Sequence, residues 1–273
     1  MAGSVLPRDE PVNGRSEGSA EGFLRRAHEE VHGEEAYAGQ QGFTTAAEIL
    51  ALASAAGASR GRRVLDLCCG PGGPALLVAE KTGCLITGLD LAEEAVSVAR
   101  EAARERGLEA TSDFVVGDAL FAPLASSSFD AVLFCETALA FERKRVLLRE
   151  VRRLLRPGGR LAMTLEEGEP LVPEERRSIP DGDTVWPVPE GEFLKLADEA
   201  GLKVIKAEER TASHARVAAR LCAALRRALA DEPGARNAAV GREISRHERW
   251  ATWLTERRVR KLVVVAERPP DAP

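Results

Sequence analysis

Residues 64–73 read Val-Leu-Asp-Leu-Cys-Cys-Gly-Pro-Gly-Gly, and this stretch constrains the fold more than any other. An apolar run carrying an acid, Asp66, leads into a turn built on Gly70, Gly72 and Gly73. Pro74 then stands where the first turn of a helix tolerates a missing N–H. Glycines let the backbone turn sharply and approach a ligand that a Cβ would exclude. Such a strand–turn–helix corner belongs to open, doubly wound α/β sheets, which bind ligands beyond the carboxyl ends of their strands.

The type of ligand is narrowed by charge. Gly70-Pro71-Gly72-Gly73-Pro74-Ala75 also satisfies the Gly-x-Gly-x-x-Ala dinucleotide pattern. A dinucleotide turn offers N–H groups and a helix N-terminus to a pyrophosphate. Asp66, at the mouth of that turn, would repel one. A sulfonium cofactor with a free amino group carries positive charge and no phosphate, so the acid favours S-adenosylmethionine over NAD. An NAD-dependent oxidoreductase stays open as an alternative.

The order of elements downstream is regular. After a short helix at 75–82, residues 84–90 form a strand ending in Asp90, placed where a carboxylate accepts ribose hydroxyls. The same acid would serve equally as an N-cap. A helix at 92–106 carries an alanine and valine stripe and stops at Gly107. Residues 113–118 form a third strand ending in Asp118, and 129–135 a fourth. A helix at 144–155 and an Arg156-Pro-Gly-Gly159 turn lead to a fifth strand at 160–165. Asp130 begins its strand at the end remote from the binding edge and reads as a turn acid.

With these motifs in this order, residues 40–268 resemble a class I S-adenosylmethionine-dependent methyltransferase. The family's first strand reads Val-Leu-Asp-x-Gly-Cys-Gly-x-Gly. Here Gly70 and Gly72 match and Cys68 replaces the first glycine, which implies a slightly different turn or a negative φ. The resemblance implies a Rossmann-like doubly wound sheet of seven strands, the last antiparallel, with a helical cap. It assigns Asp90 to the ribose and Asp118, with the backbone of Ala119, to the adenine. Tyr37, Asp66, Gly70, Gly72, Leu91 and Cys135 complete the implied cofactor set. The closest likeness is to the small-molecule branch, which includes quinone-biosynthesis and sarcosine/dimethylglycine methyltransferases. Many of those place a histidine after the fourth strand, where this chain has Ala140.

Composition fits a soluble enzyme and excludes several classes. A net charge of −5 gives no basic footprint for nucleic acid. No apolar run approaches the roughly 20 residues that span a membrane, and the first 20 residues lack the apolar core of a signal peptide. Five cysteines suggest reduced thiols in a cytoplasm. Adjacent Cys68 and Cys69 lack the spacing of a metal site, so no metal is expected. Abundant Ala, Arg and Glu suggest a bacterial source. Residues 1–22 read as a disordered tail, 23–57 as an N-terminal helical lid and 58–273 as the methyltransferase domain.

Acceptor chemistry is expected in two regions. Thr45-Ala-Ala-Glu48 forms a capping box, preceded by a polar, glycine-rich segment holding Tyr37, the only tyrosine. Residues 166–188 read as a loop, followed by a helix at 190–200 and a strand near 203–208. Two helices, 213–231 and 239–258, then form a cap insertion at about 212–258, before a final strand at 261–266. Trp250 and Trp253 share a face of the second helix, with core packing favoured over a substrate wall. The implied reaction is an SN2 displacement at the sulfonium methyl onto nitrogen, oxygen or carbon of a small molecule, in which the protein chiefly aligns the reactants. Glu136 is the first candidate for a base or an ammonium partner, and His214 the second. A catalytically silent binding subunit is the other alternative.

Overall fold

A computed structural model describes residues 20–33, 37–40, 42–231 and 238–271. Seven strands form one sheet in the order β3-β2-β1-β4-β5-β7-β6. They are β1 (Arg63–Leu67), β2 (Leu85–Asp90), β3 (Ser112–Val116), β4 (Phe129–Phe134), β5 (Leu155–Glu167), β6 (Lys203–Glu209) and β7 (Arg260–Glu267). Strands β1 to β5 run parallel to their neighbours, while β7 is antiparallel to both β5 and β6. The order reverses between β1 and β4, which opens a crevice at the carboxyl ends of those strands.

Both faces of the sheet are covered across its middle, where the strands are apolar, while edge strand β6 is largely exposed. All six residues of β4 are buried, as expected for a strand with helices above and below. Helices α2 (Ala46–Ala56), α3 (Gly73–Thr82) and α4 (Glu93–Glu105) pack one face around Ile49, Leu76, Val96 and Phe114. On the other, α5 (Lys144–Leu154) and α7 (Glu192–Glu199) bury Leu147, Val151, Leu154 and Phe193. Asp130 fastens the remote end, accepting from the backbone N–H of Arg63 at 2.8 Å and from Arg156 at 2.9 Å.

A third apolar cluster lies over the carboxyl edge. Helix α1 (Ala20–His32) packs with α8 (Thr211–Asp231) and α9 (Ala238–Thr255) around Phe23, Leu221, Leu225, Trp250 and Trp253. The two indoles meet edge to face at 5.2 Å. This roof combines the segment before β1 with the one between β6 and β7.

Three expectations need adjusting. The segment at 166–188 is not all loop: it holds α6 (Pro173–Arg177), opened by Pro173 at its first turn, and a 3-10 turn at Gly182–Thr184. Residues 20–22, placed in a tail by the sequence, belong to α1, and residues 1–19 lie outside the described residues. Cys68 has φ +60°, so the negative φ allowed for it is not adopted. A non-glycine residue there stores backbone strain of about 1–2 kcal/mol.

Candidate active site

The glycine turn places its groups at the switch point. Gly70 (φ +53°) and Gly72 (φ +81°) fold the chain back, and α3 starts from Gly72. The N–H of Gly70 donates to Asp90 at 2.8 Å, and that of Ala92 donates to the other Asp90 oxygen at 3.0 Å. Each carboxylate oxygen keeps a further lone pair for a hydroxyl. Asp66 is buried below, and burial together with the charge of Asp90 raises its pKa to about 7. Burial also pushes the thiols of Cys68 and Cys135 up, with Asp66 adding to both. The floor is therefore apolar, with a negative bias and neutral thiols. That field suits a sulfonium and an ammonium and opposes a phosphate.

A cavity of about 520 Å³ rises from this floor. Gly70, Asp90, Cys135 and Glu136 line it, together with Gly39, Gly42 and Thr44 of the lid. From the roof, α9 adds Arg246, His247, Trp250 and Leu254. At Gly70 a Cβ would meet no protein atom within 4 Å, so the turn presents open backbone.

Opposite the floor stands a buried polar cluster. Glu136, at φ +63° just beyond β4, donates its N–H to the Thr164 hydroxyl at 2.7 Å. Its carboxylate accepts from the Thr44 hydroxyl and lies 3.0 Å from Lys261 Nζ. Lys261 also pairs with Glu166, directly across the β5–β7 ladder. His214, 1% exposed in the first turn of α8, has Glu136 at 3.7 Å on one side and Glu48 at 3.6 Å on the other. Burial works to raise the Glu136 pKa, yet Lys261, His214 and Thr44 together hold it below the usual range. Burial likewise opposes Glu48, whose contacts with His214 and Thr45 bring it to about 2. Glu136 is thus a firmly ionised carboxylate and a weak base, better suited to orienting a donor than to taking its proton.

The remaining candidates stand outside the cavity wall. Tyr37 stacks on His28 at 5.9 Å between ring centres. Leu91 is 73% exposed beside Asp90. Asp118 is exposed, accepting from the N–H of Leu120 at 2.8 Å, and Ala119 is buried next to it. Among the described residues no group of three or more His, Cys, Asp or Glu side chains is placed to hold a metal ion.

Comparison with known proteins separates the cofactor classes. The Methyltransferase domain family matches residues 65–163. An O-methyltransferase, rstn1, of Aspergillus nomiae is 32% identical over 151 residues, covering 54% of this chain and 67% of that one. The chain belongs to the class I S-adenosylmethionine-dependent methyltransferase family. Methyltransferase GfsG of Streptomyces halstedii is 40% identical over 105 residues, 38% of each chain. The chain therefore spans about two fifths to two thirds of the length of these curated relatives. The fold agrees too: a putative sarcosine dimethylglycine methyltransferase of Galdieria sulphuraria superposes with TM-score 0.70 at 21% identity, over 81% of this chain and 84% of that one.

In this methyltransferase family member, Lys261 and Glu166 line the cavity and Glu48 lies beside His214, three placements that sequence reasoning passed over. A signal existed for Lys261, which alternates with Val263 and Val265 on one face of an apolar strand.

Asp66 supplies a pH signature. The folded chain retains this proton up to about pH 7, whereas the unfolded chain releases it near pH 3.8. Stability thus falls as pH rises between those values. Relative to Asp66→Asn, the wild type should lose stability steadily from pH 4 to 7 in urea melts. Parallel pH profiles for the two proteins would refute this.

Proposed function

We propose that this protein transfers the methyl group of S-adenosylmethionine to a nitrogen or oxygen, or else a carbon, of a small organic acceptor, releasing S-adenosylhomocysteine. One observation carries this reading: a single cavity joins Gly70 and Asp90 to Glu136 and Lys261 beneath the cap. The sulfonium supplies an activated methyl group when bound. Asp90 would hold the ribose, Asp66 and the glycine turn the methionine end, and Leu91, Asp118 and Ala119 the adenine. Cys135 would border the methyl group. Residues 37–40 and 42–44 would act as a lid, Tyr37 bracing it against His28. His214 would act through Glu136, fixing its carboxylate. Alignment within a water-poor cavity is the chief contribution of the chain.

Several properties of the chain support the rest of the reading. The net charge of −5 argues against nucleic-acid partners, and five free thiols suit a reducing cytoplasm. Among the described residues no helix is long and apolar enough to cross a membrane. The domain would begin after a lid at 23–57, with its cap at about 212–258. Composition fits a bacterial source.

Calorimetric titration with S-adenosylhomocysteine tests the cofactor assignment. Wild type should bind in the micromolar range, and Asp90→Ala roughly ten-fold or more weakly, for loss of charge-assisted bonds worth about 1.5–3 kcal/mol. Absence of binding to the wild type would sink the reading.

A further inference from the structure

Glu166 is 5% exposed and lines the cavity, yet only one of its carboxylate oxygens is engaged. Oε1 meets Lys261, while Oε2 has no hydrogen-bond partner. An unsatisfied buried acceptor is costly, and the cost disappears when a ligand brings a donor. We propose that Glu166 is the acceptor-binding residue, and that the acceptor is an amine carried on an apolar, ring-sized body.

The free oxygen selects the amine. Lys261 pairs with both Glu136 and Glu166, and Lys144, whose charge also acts on Glu166, donates to the carbonyls of Phe141 and Trp186, so neither cation hydrogen-bonds Glu166 Oε2. Arg246, which also lines the cavity, is committed to Glu243 at 2.7 Å and Asp181 at 2.6 Å. His247 is pushed below its usual pKa by burial, which opposes its becoming a counter-charge. An ammonium fills this role, whereas an acidic substrate meets repulsion. The walls define the rest of the ligand: Phe43, Ile49, Leu139, Trp250 and Leu254 are apolar, and two of them are aromatic, the side-chain type that attracts a cation. Lys261, 2% exposed, faces both acids and is a positioning residue that fixes Glu166.

The proposal rests on the methyl-transfer reading, and its chemistry balances. The ammonium loses one proton to water on entering, leaving a neutral amine whose N–H donates to Glu166 Oε2. The nitrogen lone pair forms the C–N bond as the C–S bond breaks, its electron pair staying on sulfur. The product is a methylated ammonium, held by the same carboxylate.

The test titrates phenethylamine and its neutral analogue 2-phenylethanol into wild type and Glu166→Gln, each saturated with S-adenosylhomocysteine. The amine should bind wild type at least ten-fold more tightly than the alcohol does, and the variant should lose at least ten-fold for the amine. S-adenosylhomocysteine should bind both proteins within two-fold, showing the variant folded. No amine binding, equal amine affinity for both proteins, or an alcohol that matches the amine would overturn the assignment. Loss of S-adenosylhomocysteine binding from the variant alone would overturn it too, by moving Glu166 to the cofactor. Failure of the wild type to bind S-adenosylhomocysteine would strike instead at the methyl-transfer reading.

Discussion

Replacing Lys261 with Met should remove about 3–5 kcal/mol of stability at pH 7.5, the cost of leaving buried charges without their partner. Two carboxylates, Glu136 and Glu166, would then face one another with no cation between them. At about 2–4 °C per kcal/mol for a domain of this size class, Tm should fall by roughly 10 °C. The pH dependence separates this cause from lost packing. In the wild type the Glu136 pKa is depressed, so its contribution is present above the unfolded carboxylate value and is lost only as pH falls through the folded one. In the variant the two acids bind a proton more readily when folded, so its stability declines as pH rises. The gap between the proteins should accordingly be wide at pH 7.5 and narrow at pH 5, and adding Glu136→Gln should recover part of it. Urea melts at the two pH values decide the matter. A cost below 1 kcal/mol, or one equal at both values, would refute the buried-charge account.

Gly73→Ala should weaken S-adenosylhomocysteine binding ten- to a hundred-fold, about 1.4–3 kcal/mol. A methyl group there would overlap the carbonyl oxygen of Ala38, a backbone atom that no rotamer change can move. Gly73 itself opens α3. Alanine is the better helix former by about 1 kcal/mol, so helix propensity alone predicts a gain in stability. Overlap wins because residues 38–40 must lift from the glycine turn, taking Gly39 and Gln40 out of the cavity wall. Gly57→Ala is the control. Gly57 adopts φ +84° with nothing within 4 Å of a Cβ, so the change should cost roughly 1 kcal/mol of stability through strain and leave binding intact. Unchanged affinity in the Gly73 variant would show that the lid does not depend on this contact.

The acids at the binding edge were legible because parallel strands deliver their last residues to one side of the sheet. Asp66 and Asp90 follow from that rule, and the glycines between them mark the turn. Lys261 escaped it because β7 is antiparallel, which brings its beginning to the same edge. An antiparallel last strand was expected, but its consequence for Lys261 is visible only once the register pairs it with Glu166. Glu48 illustrates a different limit. Its capping box was readable from Thr45-Ala-Ala-Glu48, and the structure confirms both hydrogen bonds. The second carboxylate oxygen meets His214, 166 positions away, and no local pattern announces that. The Tyr37 segment was legible as polar and glycine-rich, whereas the stacking of Tyr37 on His28 depends on how α1 lies across the roof.

The roof has an apolar cluster of its own, distinct from the two that flank the sheet. Trp250 and Leu254 belong to that cluster and also line the cavity. Selection can therefore rewrite the acceptor wall while the layers that hold the glycine turn keep their packing. The two halves of the roof must change in concert, since Phe23 and Phe43 share their surroundings with residues some two hundred positions later. Divergence in this lineage is expected to appear as paired drift at the two remote stretches, against a steadier middle.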